Sequence, residues 1–317
     1  METVCGGDSK GSSMQRKDRK KSSGPRRLLR GLLVALALLI LLGGAELLWS
    51  NYHISVSRYT LSSPKIAAPI RVVFLSDLHG REFGTDNKRL LKKLAAQEPD
   101  LIGLVGDIFN QDADAAEIDA MCGFIHACTE IAPTWFGLGN HEAKYLETDA
   151  AGLLDRIREA GAVVVNDEFQ DIAVNGNAIR LGGYMGYYPY PHMMTHDPEQ
   201  IALEREFFGD FKTTERFKLL LNHIPTGWLD WEYINKDSVD LVLSGHYHGG
   251  VVRIPLLEQG LYAPYVGKFP PYTKGMFTGT KAVCILTTGL AGSYGIPRFF
   301  NPPEICVAEL VPSEKGS

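Results

Sequence analysis

The sequence predicts an α/β fold, because short apolar runs of strand length alternate with longer segments of helical spacing from residue 70 onward. The runs of the first half lie at 71–75, 101–105 and 134–138. Segments with helical spacing separate them, at 86–97 and 113–131. Such alternation is typical of a parallel, doubly wound sheet.

The rest of the chain predicts a second, mixed sheet packed on the first. Its strand-length runs lie near 217–221, 239–243, 251–254, 275–279, 282–287 and 305–310. Between the two sets, a helix is expected over Thr148–Gly161 and strands over Val163–Asn166, Phe169–Val174 and Ala178–Gly183. The last two strands are joined by Asn175-Gly176-Asn177, which is a hairpin signal.

Five of the apolar runs are followed by side chains that bind metals. In chain order these are Asp77 and His79, Asp107, Asn140 with His141 and Glu142, His223, and His246 with His248. Open α/β sheets place ligand sites at the carboxyl ends of their strands, so these side chains can meet at one edge. In extended chain, positions i and i+2 point to the same side, which would let His246 and His248 converge. The glycines beside them would allow close approach.

These motifs resemble the calcineurin-like metallophosphoesterases in content, order and spacing, from about Arg71 to about Leu310. The motifs are Asp-x-His, Gly-Asp, Gly-Asn-His-Glu, a single His after a strand, and Gly-His-x-His. The resemblance implies a four-layer α/β/β/α sandwich of two mixed sheets, with the domain over residues 70–312. It also implies a hydrolase acting on phosphate esters.

By the same resemblance, two divalent metal ions are the expected cofactors. Asp77, His79, Asp107 and His248 would hold the first ion, and Asp107, Asn140, His223 and His246 the second. The two oxygens of Asp107 would bridge the pair. Imidazole and carboxylate donors without a thiolate suit manganese, iron or zinc. A hydroxide bridging the ions would attack phosphorus in line.

His141 is the expected catalytic residue, because it follows the ligand Asn140 and could give a proton to the leaving oxygen. The alternative is a structural role beside Asp77 and Asp107. In the protein-phosphatase branch, an Asp after the Gly-Asp motif orients this histidine. Here Asp107 is followed by Ile108-Phe109-Asn110-Gln111, so the orienting group is missing or supplied elsewhere and a phosphoprotein phosphatase is disfavoured.

The pattern looks most like the membrane-anchored bacterial branch, which includes phosphodiesterases and UDP-2,3-diacylglucosamine pyrophosphatases. The expected substrate is a phosphate mono- or diester, which could be lipid-linked. A pyrophosphatase of lipid metabolism and a non-catalytic metal-binding envelope protein are the alternatives. Two aromatic, proline-rich loops at 184–194 and 262–272 could cover an apolar leaving group or pack on the sheet edge. The sequence leaves substrate-binding residues, metal identity and oligomeric state open.

The N-terminal region predicts a membrane anchor. Residues 1–27 form a basic tail, residues 28–49 an apolar helix long enough to span a bilayer, and residues 50–69 a linker with an edge strand near Tyr52–Tyr59. The positive-inside rule puts the domain on the extracytoplasmic side. Cleavage of a signal peptide after Ala45 is the alternative, and Arg26-Arg27 is compatible with twin-arginine export.

Charge and cysteine content exclude other classes. Residues 51–317 hold 23 basic and 33 acidic side chains, so a nucleic-acid partner is not expected. The five cysteines have no Cys-x-x-Cys spacing, which predicts reduced, buried thiols. Four further histidines are expected to lie outside the site: His53, His126, His192 and His196.

Overall fold

A computed structural model describes residues 24–148, 152–185, 206–229, 239–264, 266–278, 282–293 and 295–313. Some of the predicted features lie outside these residues. They are the basic tail up to residue 23, the aromatic loop from residue 186 onward, and His192 with His196.

The helices include the four predicted from the sequence, near residues 28–49, 86–97, 113–131 and 148–161, together with others that were not predicted. They are α1 (Gly24–Tyr52), α2 (Lys88–Ala95), α3 (Ala115–Thr129), α4 (Asn140–Leu146), α5 (Leu153–Glu159) and α6 (Thr226–Leu229). Residues 206–211 are also helical, and short 3₁₀ helices cover Thr85–Asn87 and His248–Gly250.

The strands of the first half are β1 (Ser55–Ser63), β2 (Ile70–Leu75), β3 (Leu101–Val105), β4 (Thr134–Gly137), β5 (Val163–Val165), β6 (Glu168–Val174) and β7 (Asn177–Gly183). The next group is β8 (Phe217–Leu221), β9 (Leu241–Ser244), β10 (Arg253–Ile254), β11 (Gln259–Gly260), β12 (Tyr262–Ala263) and β13 (Gly267–Lys268). The chain ends with β14 (Gly275–Thr278), β15 (Val283–Leu286) and β16 (Glu304–Pro312).

Two six-stranded mixed sheets form the body. The first has the order β1-β16-β2-β3-β4-β5 and the second the order β14-β15-β9-β8-β7-β6. In the first sheet β2, β3, β4 and β5 are parallel, and in the second β7, β8, β9 and β15 are parallel. The strands that precede the metal-binding motifs therefore lie in the parallel parts of both sheets.

Alternate residues of the central strands face two different cores, which explains why these strands are apolar throughout. In β2, Val73 and Leu75 belong to the core shared with α2, α3 and α5. Val72 and Phe74 belong to the core between the two sheets.

The second sheet is covered in the same way. Leu241 and Leu243 of β9 face the first sheet, while Val242 packs with Phe208 and Trp228 of the helical segments on the outer face. Helices, sheet, sheet and helices follow one another, so the four-layer α/β/β/α sandwich is confirmed.

Strand β1 makes nine residues of the expected linker, Ser55–Ser63, part of the first sheet. It pairs in parallel with β16 along its whole length, from Ser55 opposite Glu304 to Ser63 opposite Pro312. An edge strand was expected near Tyr52–Tyr59; it begins three residues later and continues to Ser63. The folded body therefore starts well before residue 70.

Helix α1 extends beyond the predicted apolar segment at both ends. Its part Arg26–Tyr52 is long and apolar enough to cross a membrane, a property that an N-terminal signal sequence shares. Among the described residues, the unit that contains the sheets begins at Ala45, so the last turns of α1 belong to that unit.

Two local signals in the sequence are also confirmed. Val174 pairs with Asn177, which leaves Asn175 and Gly176 as a two-residue hairpin loop with φ of 50° and 77°. A type I′ turn requires positive φ at both positions. The four cysteines in the described part of the chain are free thiols, and three of them are buried.

The close approach of the two sheets can be tested by comparing two Gly→Ala variants. One glycine lies between the sheets and the other lies on an exposed helix face. A Cβ added to Gly137 of β4 would lie 2.9 Å from the Cβ of Leu221 in the facing sheet. We expect Gly137→Ala to destabilise the fold by about 1–3 kcal/mol. Gly123, exposed on α3, has nothing within 4 Å of such a Cβ, so Gly123→Ala should stabilise it by about 0.5–1 kcal/mol. Urea unfolding measures both, and equal midpoints would contradict the packing.

Candidate metal centre

The predicted site residues lie in loops that follow five parallel strands, β2, β3 and β4 of one sheet and β8 and β9 of the other. Backbone hydrogen bonds hold neighbouring loops together. The Asp77 N–H donates to Gly106 O at 3.1 Å, and the Gly245 N–H donates to His223 O at 3.0 Å. The carboxyl ends of both sheets thus meet at one edge, as expected for an open α/β sheet.

One group of donors consists of Asp77, His79 and His248, whose ligand atoms all lie within 4.8 Å of one another. Asp77 Oδ1 is 3.4 Å from His248 Nε2. The rings of His79 and His248 are stacked with centroids 5.2 Å apart. This geometry fits three ligands of a single ion.

A second group consists of Asp107, His223 and His246, again with ligand atoms within 4.8 Å. His223 Nε2 lies 3.1 Å from Asp107 Oδ2. Asn140, the first residue of α4, follows Gly139, where an added Cβ would lie 2.2 Å from Asp107 Oδ1. The chain therefore brings Asn140 next to this group, and only glycine fits at position 139.

Asp107 lies between the two groups. Its Oδ2 is 3.7 Å from His79 Nε2, in addition to its contact with His223. Its Oδ1 accepts a 2.8 Å hydrogen bond from the N–H of His141. The sequence predicted that both oxygens face the ions. The structure places only Oδ2 towards both groups, because the start of α4 engages Oδ1.

The backbone at these residues is left-handed, which corrects the extended geometry expected for the two i, i+2 pairs. The φ angles are 55° at Asp77, 48° at His79, 53° at Asp107, 71° at His246 and 46° at His248. Such conformations cost about 1–3 kcal/mol each and cluster at functional sites. The side chains of each pair reach the site through sharp turns, and His246 and His248 enter different donor groups.

Hydrogen bonds to Nδ1 orient two of the imidazoles. His223 Nδ1 lies 2.8 Å from Val105 O, and His248 Nδ1 lies 3.3 Å from Ala291 O. A carbonyl oxygen can only accept, so we assign the proton to Nδ1 in both rings. When each ring is neutral, as a metal ligand must be, the lone pair is then on Nε2, which faces the carboxylates.

Glu142 is a buried residue of the Gly-Asn-His-Glu motif to which the sequence interpretation assigned no role. Its carboxylate accepts hydrogen bonds from the N–H groups of Asp107, Ile108, Phe109 and Gly139, at 2.8–3.1 Å. It therefore holds the turn after β3 against the turn after β4. Its place in the motif was the available signal, but its partners could not be read from the sequence.

A backbone N–H group orients His141. It takes the place of the carboxylate that the sequence lacks after the Gly-Asp motif. The N–H of Gln111 donates to His141 Nδ1 at 3.2 Å, which puts the imidazole proton on Nε2. Nε2 points into the site, 4.0 Å from Asp107 Oδ2, and the side chain is 27% exposed. His141 is thus placed to donate a hydrogen bond from the solvent-facing side of the cluster.

The pKa values of the metal-free site follow from burial and from the two carboxylates. Burial lowers the pKa of His79 to about 4 and that of His248 to about 3. Burial also opposes the charged form of His223, but the carboxylates of Asp107 and Asp77 outweigh it and raise its pKa to about 9. Burial, followed by the charge of Asp107, raises the pKa of Glu142 to about 7.

The donor set fits divalent metal ions. Asp77 and Asp107 are fully buried carboxylates among imidazole nitrogens, which suits a borderline cation. Two buried donor atoms, His79 Nε2 and Asn140 Oδ1, have no hydrogen-bond partner among the described residues. Buried polar atoms normally have one, so both atoms are suited to binding an ion.

Comparison with known families agrees with this geometry. The model of the calcineurin-like phosphoesterases matches residues 70–250, which is more than half of the chain. The chain belongs to the calcineurin-like phosphoesterase family. It is a hydrolase acting on phosphate esters, and its family fold implies divalent metal ions.

Several known proteins resemble this calcineurin-like phosphoesterase over most of its length. The phosphodiesterase YaeI of Escherichia coli is 28% identical over 255 residues, covering 77% of this chain and 83% of YaeI. The UDP-2,3-diacylglucosamine pyrophosphatase LpxG of Chlamydia muridarum is 24% identical over 302 residues, covering 82% and 91%. The solved phosphopantetheinyl hydrolase PptH of Mycobacterium tuberculosis is 13% identical, covers 80% of this chain and 99% of PptH, and superimposes with a TM-score of 0.45.

The two donor groups should differ in the protons they release on binding metal. At about pH 8 metal-free His223 is protonated, so Mn²⁺ must displace about one proton there. His79 and His248 are already neutral at this pH and should release none. Affinity for the ion at His223 should therefore rise about tenfold per pH unit up to about pH 9 and then level off.

Calorimetric titration in two buffers of different ionisation enthalpy counts these protons. The His223→Asn variant is the control, because it lacks the imidazole and should release about one proton fewer than the wild-type protein. Release of a proton at neither ion by the wild-type protein would contradict the interpretation of His223.

A second prediction concerns the hydrogen bonds that Glu142 accepts. In Glu142→Gln, an NH₂ group would face backbone N–H donors, so we expect a loss of about 1–3 kcal/mol in the free energy of unfolding. Glu147→Gln, at the exposed end of α4, should change it by less than about 0.5 kcal/mol. Urea denaturation compares the two, and similar values would rule out this role for Glu142.

Proposed function

We propose that this chain hydrolyses phosphate mono- or diesters at a centre of two divalent metal ions. The observation that carries the proposal is the position of Asp107 Oδ2, 3.1 Å from His223 and 3.7 Å from His79, between two groups of donors. One carboxylate oxygen facing two sets of ligands is the arrangement a dinuclear site needs. When bound, the ions supply an activated water near neutral pH and stabilise charge on the phosphoryl oxygens.

The ligands are assigned from the two donor groups. Asp77, His79, Asp107 and His248 would hold the first ion, and Asp107, Asn140, His223 and His246 the second. Manganese, iron and zinc all suit these donors. Burial of the ligands keeps them ordered and excludes bulk water from the side opposite His141.

His141 is the residue we assign to the leaving group. Its Nε2 carries the proton and faces the cluster, and its side chain is more exposed than those of His79, His223 or His248. A phosphate ester that enters from this side meets the Nε2–H before it meets the buried donors. Donation of that hydrogen to the leaving oxygen would stabilise the charge that develops there.

We further propose that the domain works at the extracytoplasmic face of a membrane. The first 50 residues hold nine lysines and arginines, which precede or flank the apolar part of α1. A lipid pyrophosphatase like LpxG is the second candidate, supported by the sequence similarity to that enzyme over most of both chains. It would require the opposite orientation, with its site on the cytoplasmic side.

Activity assays with two kinds of leaving group test the role of His141. We expect Mn²⁺-dependent hydrolysis of bis(p-nitrophenyl) phosphate, with Asp107→Asn inactive because both ions lose a ligand. His141→Gln should lower kcat by about a hundred- to ten-thousand-fold on a dinucleotide, whose alkoxide needs a proton. The loss on the nitrophenyl ester should be much smaller, because nitrophenolate leaves without one.

The matched control is His126→Gln, which removes an exposed histidine of α3 that lies 3.3 Å from Ala160 O. It should leave both rates unchanged. Equal losses on both substrates in His141→Gln would favour the structural role. No hydrolysis of any phosphate ester, with two ions bound, would favour a non-catalytic metal-binding protein. A topology reporter fused after Ser317 distinguishes the two orientations.

A further inference from the structure

We propose that the juxtamembrane turn, residues 46–51 at the end of α1, is a positioning element of the metal centre and not only a tether. The inference rests on the proposed dinuclear site. The turn binds two loops that carry ligands of the same donor group, the loop after His79 and the loop that supports His248. Each of these links is a hydrogen bond within the unit formed by residues 45–317.

Asn51 makes the first link. Its side-chain amide pairs with the backbone of Arg298, donating from Nδ2 to the carbonyl oxygen at 2.9 Å and accepting from the N–H at 3.2 Å. The carbonyl oxygen of Asn51 accepts a hydrogen bond from the guanidinium of Arg81. Arg81 follows the ligand His79 by two residues, so Asn51 joins the two segments directly.

Ser50 and Glu46 make the second link. Ser50 is fully buried, and its Oγ accepts from the N–H of Asn301 at 3.1 Å and donates to Glu46 Oε1 at 2.5 Å. Glu46 also accepts from the N–H of Phe300 at 3.0 Å. Residues 298, 300 and 301 thus make four hydrogen bonds with residues 46–51.

Residues 298–301 in turn hold the loop of His248. Asn301 Nδ2 donates to the carbonyl oxygen of His248 itself at 2.7 Å, and to Val251 O at 3.0 Å. Arg298 Nε donates to Ala291 O at 2.8 Å, and this same oxygen lies 3.3 Å from His248 Nδ1. The imidazole and the backbone of the ligand are therefore each held through a residue that contacts the turn.

The hydrogen bonds of the Arg298 side chain indicate that residues 298–301 position the loop of His248 and do not merely pack against it. The side chain is fully buried, and its guanidinium donates to three backbone carbonyls, those of Ala291, Asn301 and Thr288. A buried guanidinium that donates hydrogen bonds to several carbonyl oxygens fixes the path of the loop that carries them. The turn fixes the backbone of Arg298 through Asn51, and this places the carbonyl that orients His248.

The donor group of Asp77, His79 and His248 should therefore depend on the turn, and the group of Asp107, His223 and His246 should not. Loss of a hydrogen-bonding partner of a metal ligand typically lowers metal affinity by about 10–100-fold. Asn51 acts through two intermediate residues, so we expect about a tenfold effect at one ion.

The test is a Co²⁺ titration of the full-length protein in detergent, followed by its visible spectrum. Asn51→Leu keeps the size of the side chain and the backbone carbonyl but removes the two amide hydrogen bonds with Arg298 and the one donated to Leu47 O. We expect two ions to bind, one about tenfold more weakly than in the wild type and the other unchanged. The weakened ion should be the one whose absorption is lost in His248→Gln.

Asn177→Leu is the matched control. Asn177 is a buried asparagine whose amide, like that of half-buried Asn51, bonds to backbone groups: it accepts from the N–H groups of Ala67 and Ala68 and donates to Ala68 O. It should lower the melting temperature about as much as Asn51→Leu and leave both dissociation constants unchanged. Ser50→Ala, which removes one hydroxyl, serves if Asn51→Leu does not fold, with the same site-selective weakening expected.

Unchanged affinity for both ions in Asn51→Leu and Ser50→Ala would overturn the proposal, and so would equal weakening of both ions. Binding of fewer than two ions by the wild-type protein is a different result. It would refute the dinuclear centre itself, and with it the role of the turn.

Discussion

Two buried carboxylates, those of Asp77 and Asp107, impose the constraint on which the rest of the site depends. A buried charge is costly unless it is paired, so each carboxylate needs a positive partner or several hydrogen-bond donors. Asp107 lies 3.1 Å from the His223 imidazole, and Asp77 accepts from the N–H of His246 at 3.1 Å. Protons and metal ions compete for the same atoms, because either can neutralise this pair of charges.

The same atoms are held in a strained backbone, and the hydrogen bonds between loops offset the strain. The N–H of His79 donates to Asp107 O at 3.0 Å, and the N–H of Ala291 donates to Asp77 O at 2.7 Å. Glu142 holds the turn that carries Asp107 from the other side. The hydrogen bonds of the neighbouring loops thus hold the left-handed residues in place.

The sequence predicted that these side chains would meet, because their order along the chain reflects the topology: each follows a parallel strand. It could not predict the left-handed backbone at His246, because that turn depends on a hydrogen bond to Asp77, far away in the chain. The partners of Glu142 were inaccessible for the same reason, since they belong to the loop of another strand. The Asn175-Gly176 hairpin was predictable because its conformation is set by the two residues themselves.

The sequence also did not predict the contacts that Ser50 and Asn51 make, and the reason is related. At the end of an apolar helix, Ser50 and Asn51 look like ordinary residues of a membrane interface. Only the fold brings residues 298–301 to them. The same holds for β1, whose short alternating pattern predicts an edge strand but not its partner.

That partner, β16, is the last of the described strands and lies between β1 and β2 in the first sheet. A nascent chain in which residues 304–312 have not yet been synthesised therefore exposes the unpaired edge of β2, with β1 separated from the sheet. The gap closes only when these residues are inserted between two strands made much earlier. Deletion of residues 304–312 would thus leave the edges of β1 and β2 exposed to aggregation.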